Sequence, residues 1–198
     1  MDARVFISIL MGAVLVNNYV LRQFLGICPF LGVSKELKDA AGMGIAVTFV
    51  MVLATAVTWP VQVFFLEKNG LSYLQIIVFV IVIASLVQLV EITLAKYVPF
   101  LHKTLGVFLP LMATNCAILG VTVLNINNEY TYLESLTNAL GSGLGFLLGM
   151  VLFAGIRGYT ENSDPPEAFK GLPLTLISAA LLSLSFFGFS GVIENLFG

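Results

Sequence analysis

The sequence predicts an all-α integral membrane protein: six transmembrane helices arranged as two inverted three-helix repeats, with helices one and four broken near mid-membrane. Three observations carry that prediction. Of the 198 residues 59% are hydrophobic and only 10% charged, with a mean hydropathy of +1.01, whereas a soluble domain carries roughly a quarter charged residues. Six apolar runs approach the ~20 residues that a helix needs to cross a bilayer. One short phrase built on cysteine occurs twice, each time where glycine or proline interrupts apolar sequence.

The six runs lie near 5–26, 41–66, 72–96, 103–126, 136–157 and 172–194. The first has no small-residue cleavage signal and reads as a retained helix rather than a leader. The connectors carry the charge: "SKELKD" (34–39), "EKNG" (67–70), "KYVPFLHK" (96–103), "NINNEY" (125–130) and "RGYTENSDPPEAFKG" (157–171). All are too short for an appended soluble domain, so residues 1–198 form a single transmembrane domain. The last connector is stiffened by Asp164-Pro165-Pro166 and reads as a solvated loop or a docking surface. Lys35, Lys38, Lys96, Lys103, Arg157 and Lys170 fall on one side, against Arg4 and Lys68 on the other. The positive-inside rule makes the richer side cytoplasmic. Loops 34–40, 96–103 and 157–171 are then inside, and both termini outside.

Cys28-Pro-Phe-Leu-Gly-Val-Ser34 matches Cys116-Ala-Ile-Leu-Gly-Val-Thr122. A glycine-started helix follows each, "GMGIAVTFVMVLA" from Gly42 and "GSGLGFLLGMVLF" from Gly141, aligned without gaps at Gly44/Gly143 and Met51/Met150. Repeat one covers about 1–100 and repeat two about 101–198. Three helices per copy is odd, so the copies run in opposite senses, an inverted repeat about an axis in the membrane plane. That axis brings the two broken phrases together. Irregular backbone at membrane depth is tolerated only where protein buries it or it lines a cavity, so both phrases are expected to face the protein interior.

Cysteine binds metals as thiolate. Pro29 suits the first position of a new helical piece, which puts Cys28 at its N-cap, where the helix dipole favours an anion. Thr114 and Asn115 stand beside Cys116 as hydrogen-bond donors. Zinc or an iron–sulfur cluster usually takes four ligands, and this chain has two cysteines. The residues alone leave three readings open: half of a shared metal site, an inert buried pair, or one disulfide. Asn18 and Arg22, at helical i, i+4 spacing, share a face on the way into the first phrase. Arg22 either snorkels toward the interface or steadies a buried anionic centre. Gln88 and Glu91 share a face of helix three, and Glu91 reads as an interfacial or ion-path carboxylate. His102 reads as a solvated loop residue. Nothing resembles a nucleophile–base pair, a P-loop or a dinucleotide fingerprint, and no basic patch points to nucleic acid. "GSGLG" at 141–145 reads as helix packing.

"VLVNNYVLRQFLGICPFLGVSK", "LGVFLPLMATNCAILGV", "VLFAGIRGY" with the later "DPP", and "FFGFSG" together resemble the RnfA/NqrE family of membrane subunits, over nearly the whole chain. The "VNN" and "CPF" forms favour its Rnf branch. The resemblance implies a subunit of an ion-pumping ferredoxin:NAD oxidoreductase in a prokaryotic cell membrane, with no complete active site of its own. It implies that Cys28 and Cys116 supply two of the four ligands to a [2Fe–2S] cluster, the rest coming from a homologous RnfE-like subunit of opposite topology. FMN, riboflavin, NAD and further iron–sulfur clusters then belong to other subunits, of the B, C, D and G types. Two other classes compete. One is a secondary transporter-like ion-translocating subunit with inert cysteines; the other is a structural subunit that seats redox partners.

Overall fold

The computed structural model describes residues 3–16, 18–33, 37–97, 113–161, 163 and 166–197, and the regular structure among them is helical throughout. The first apolar segment is not one helix. α1 spans Ala3–Met11 and passes into a π turn, Gly12–Val16. The chain runs irregularly from Asn18 to Gly26 and resumes as α2, Ile27–Val33. The expectation of helix over 5–26 therefore fails after Val16. Two residues there have positive φ, Phe24 at 56° and Gly26 at 83°, which no α-helix accommodates.

α3 spans Leu37–Val61 and continues through a π turn, Gln62–Glu67. Pro60 lies just before that widening, where its missing N–H removes a helical hydrogen bond. α4 spans Gln75–Tyr97, α5 Cys116–Asn127, α6 Tyr132–Glu161 and α7 Leu172–Phe197. The start of α6 has half of a capping box: Glu134 accepts from the Thr131 N–H at 3.0 Å and also from the Thr131 hydroxyl at 2.7 Å. Three stretches, Leu37–Glu67, Ser72–Thr93 and Tyr132–Thr160, are long and apolar enough to cross a membrane, and Cys116–Asn127 and Leu172–Gly188 are shorter apolar helices. Residues 98–112, including His102, Lys103 and the first part of the expected fourth span, lie outside the described residues, as do Asn17, residues 34–36 with Lys35, and Asp164-Pro165.

The core is a pair. α3 and α6 make the most extensive helix contact among the described residues, burying Met43, Val47, Val50 and Met51 against Phe146, Met150 and Phe153. Glycine is what lets them approach. A β-carbon on Gly143 would stand 2.8 Å from Thr48 Cα, and one on Gly44 would stand 3.0 Å from Leu147 Cα. The four positions are reciprocal. In the gapless alignment Gly44 matches Gly143 and Thr48 matches Leu147, so one contact is the image of the other, as in an isologous interface. Without a hydrophobic effect between helices in lipid, close backbone packing of this kind supplies the attraction. α4 and α7 lie outside the pair and turn Ile76, Ile77, Ile81, Leu181, Leu184 and Phe187 outward.

Gly143→Ala is expected to lower stability by about 1–3 kcal/mol, since the new methyl meets backbone rather than a yielding side chain. Gly155, with none of the described residues within 4 Å of its added β-carbon, is the control: its alanine variant is expected to be neutral, or stabilising by up to ~1 kcal/mol through helix propensity. Thermal unfolding of both variants in detergent checks the pair.

Candidate functional site

The irregular stretch from Asn18 to Gly26 is built on one buried side chain. Asn18 is 1% exposed. Its Oδ1 accepts from the N–H groups of Val20 (3.1 Å) and Leu21 (3.3 Å), and its Nδ2 donates to the Gly145 carbonyl on α6 at 2.7 Å. The backbone closes around it: the Arg22 N–H donates to the Asn18 carbonyl and the Leu25 N–H to the Tyr19 carbonyl, both at 2.9 Å. The Ser183 hydroxyl on α7 donates to the Leu21 carbonyl. Gly145 fits because a β-carbon there would stand 3.1 Å from the Ala13 carbonyl oxygen and 3.3 Å from Asn18 Nδ2.

At the end of the stretch the backbone just before the first cysteine phrase meets the second cysteine. The Gly26 N–H donates to Cys116 Sγ at 2.8 Å, across 90 residues of sequence. Glycine is required at position 26 twice over. Its φ is +83°, and a β-carbon would stand 2.9 Å from Phe146, 3.1 Å from Ala117 Cβ and 3.3 Å from Asn115 Oδ1. The Gly26 carbonyl then accepts from the Phe30 N–H at 3.3 Å, so α2 starts at Ile27 with Gly26 as its N-cap. This corrects the expectation that Cys28 is the cap and Pro29 the first helical residue. Pro29 is third, still within the first turn, where helical N–H groups have no intrahelical acceptor and proline loses nothing. On the other side Asn115 is the N-cap of α5: its Oδ1 accepts from the Ala117 N–H at 2.9 Å. Asn115 is 4% exposed, and its buried Nδ2 has no hydrogen-bond partner among the described residues.

Cys28 and Cys116 are both free thiols, Cys28 exposed and Cys116 half-buried. The expectation that both phrases face the interior therefore holds for Gly26, Pro29, Phe30 and Asn115, which are buried, but not for Cys28 or its neighbour Phe24, which face outward. Nor do Asn18 and Arg22 share an environment. The intervening residues form a turn, which buries Asn18 and leaves Arg22 exposed with its guanidinium 5.9 Å above the Phe187 ring centroid. In α4 Glu91 is half-buried and Gln88 exposed, away from the cysteines in sequence and on a different helix. Arg157 has a role that its count as a loop charge did not suggest. Its Nη1 donates to the Leu31 carbonyl at 2.8 Å, placing a cation on the last turn of α2. Phe30 stacks on Phe153, ring centroids 4.2 Å apart, so two adjacent residues of α2 are fastened to α6.

A second feature lies beside the first. A cavity of about 440 Å³ opens between α1, α5 and α6, lined by Ser8, Tyr19, Gln23, Asn128, Tyr130 and Asn138 among others. Its inner wall is a buried amide network: Asn138 Nδ2 donates to Asn125 Oδ1 at 2.6 Å and to the Tyr19 hydroxyl at 3.3 Å. Burial first, then nearby Tyr19 and Glu134, holds the Tyr130 phenol above its usual pKa. The lining comes from four separate stretches of chain, which left no local pattern to read.

The Gly26 N–H reaches the sulfur of Cys116, Cys28 faces outward two residues further on, and among the described residues no group of three or more His, Cys, Asp or Glu assembles a metal site. Two cysteine thiols could supply half of the four-thiolate shell of a [2Fe–2S] cluster, and the orphaned buried amide of Asn115 directly precedes one of them.

Comparison with known proteins places the chain. A family model described as "Rnf-Nqr subunit, membrane protein" matches residues 6–193. The A-type subunit of the Na(+)-translocating ferredoxin:NAD(+) oxidoreductase complex of Acetobacterium woodii is 54% identical over 186 residues, covering 94% of this chain and 97% of that one. The A-type subunits of the ion-translocating oxidoreductase complexes of Syntrophotalea carbinolica and Edwardsiella ictaluri are 54% and 48% identical over 187 and 189 residues. They cover 94% and 96% of this chain and 97% and 98% of their own.

Asn18→Ala removes two acceptor contacts and one donor contact from buried backbone. It is expected to cost on the order of 2–3 kcal/mol, read as a lowered unfolding temperature in detergent, whereas an unchanged midpoint would show that the stretch holds without it.

Proposed function

This chain belongs to the Rnf-Nqr family of membrane subunits, and from that premise we propose that it serves an ion-translocating ferredoxin:NAD oxidoreductase complex by carrying electrons across the bilayer. The carrier is a [2Fe–2S] cluster shared with a homologous subunit of opposite topology. Cys28 and Cys116 supply two of its ligands and the partner two more. The observation that carries the proposal is the Gly26 N–H donating to Cys116 Sγ at 2.8 Å, which sets the backbone two residues before Cys28 against the second cysteine, 90 residues away in sequence.

When bound, such a cluster takes up and releases one electron. The chain's own residues do the rest. Asn18 and Ser183 hold the irregular backbone that carries the chain to Cys28. Asn115 starts the helix that presents Cys116. Arg157 and Phe153 pin the helix behind Cys28. The outward exposure of Cys28 leaves its sulfur accessible to a second subunit. Six spans in two inverted halves, about 1–100 and 101–198, accord with the reciprocal Gly44–Leu147 and Gly143–Thr48 contacts. On this reading both termini are outside and loops 34–40, 96–103 and 157–171 are cytoplasmic, facing the flavin-, NAD- and cluster-bearing subunits.

The test is electron paramagnetic resonance of the reduced, intact complex, with Cys28→Ala and Cys116→Ala as comparison samples. Each variant is expected to lose one and the same [2Fe–2S] signal. Retention of every cluster signal in either variant rejects the ligand assignment, and ion flux through this chain alone, unaffected by both substitutions, would favour a transporter.

A further inference from the structure

The cysteines share a phrase but not an environment. Cys28 is exposed, whereas Cys116 is half-buried and receives the Gly26 N–H at 2.8 Å. That donor is fixed in place. Gly26 has a positive φ, its carbonyl caps α2, and Phe146, Ala117 and Asn115 crowd the position where a side chain would begin. Beside it lies Asn115, the residue preceding Cys116. Its Oδ1 is committed to the Ala117 N–H, which orients the amide, while its Nδ2 is sealed from solvent with no acceptor among the described residues. A buried donor without a partner is destabilising, a penalty that a sulfur-rich group seated on Cys116 would relieve. Gly26 comes from the first break and Asn115 directly precedes Cys116, so the two donors belong to opposite repeats, and the Gly26 N–H alone already reaches the sulfur.

We infer that the Gly26 N–H and the Asn115 side-chain amide form a donor pair on the Cys116 side of the bound cluster and raise its reduction potential. The inference rests on the cluster reading above. Its physical basis is that reduction adds negative charge, and hydrogen bonds to the sulfurs stabilise the reduced form more than the oxidised one. Both act as positioning residues, through the ligand sulfur and the cluster sulfurs rather than on any substrate. The first break then does two things for the site: it presents Cys28, and it gives Cys116 a rigid backbone donor.

Two measurements on the intact complex test this, both made on the signal that Cys116→Ser removes. In complex labelled with [15N]glycine, HYSCORE spectra of that signal are expected to show a 15N coupling that disappears in Gly26→Ala. No glycine coupling on a Cys116-dependent signal overturns the Gly26 assignment. Because Gly26→Ala strains the fold, the second arm is a redox titration of Asn115→Ser and Asn115→Asp. Both keep an N-cap oxygen and lose the amide donor, and the aspartate adds negative charge. Their midpoints are expected below wild type, in the order wild type, serine, aspartate. Equal midpoints in all three overturn the Asn115 assignment. If Cys116→Ser removes no signal, the cluster reading itself fails and this inference fails with it, a result distinguishable from either outcome above.

Discussion

A polar backbone group in an apolar surround must find its partner inside the protein, and that single constraint shapes the site. Each unsatisfied N–H or C=O at membrane depth costs several kcal/mol, which is why spanning segments are ordinarily helical. Here the chain leaves the helix at Val16 and resumes it at Ile27. It does so by replacing helical hydrogen bonds with local side-chain bonds and tertiary ones. Asn18 holds two N–H groups, Ser183 holds a carbonyl, and Cys116 accepts the last N–H before α2. The irregular stretch is therefore a product of α5, α6 and α7 together.

That dependence explains why the rest of the fold is rigid where it is. The stretch takes its anchor points from α6: Gly145 receives the Asn18 amide, Phe146 walls Gly26, Phe153 stacks on Phe30, and Arg157 caps α2. These four positions span more than three turns of one helix. α6 is itself locked to α3 through the Gly143–Thr48 and Gly44–Leu147 contacts. A shift of α6 by a fraction of a turn would break both the helix pair and the anchors of the stretch, so the site inherits its geometry from the symmetric core.

Membership of a membrane class and the apolar segments behind α3, α4 and α6 were legible in the sequence, because composition and hydropathy are local properties. The helix start at Cys28 was misread for an equally local reason. Proline favours the first helical position, but the position of the cap was set by Ala117 and Phe146 crowding Gly26, which no neighbouring residue announces. Arg157 was legible as a charge and not as a cap, since its acceptor lies 126 residues away. Asn18 left a partial signal, an asparagine before an interrupted helix, where its side chain can bond the backbone two residues on. The cavity lining came from separated segments and left none.

The two copies of the phrase also show how a repeat makes an asymmetric site. Matched on cysteine, Cys28 aligns with Cys116, yet the helices behind them start out of step. Gly26 caps α2 two residues before Cys28, while Asn115 caps α5 one residue before Cys116. One residue of helical register is about 100° of rotation. Similar sequence in different register therefore aims one sulfur outward and the other toward a fixed N–H. The repeated phrase thus leaves one sulfur held by the chain's own fold and the other exposed at its surface.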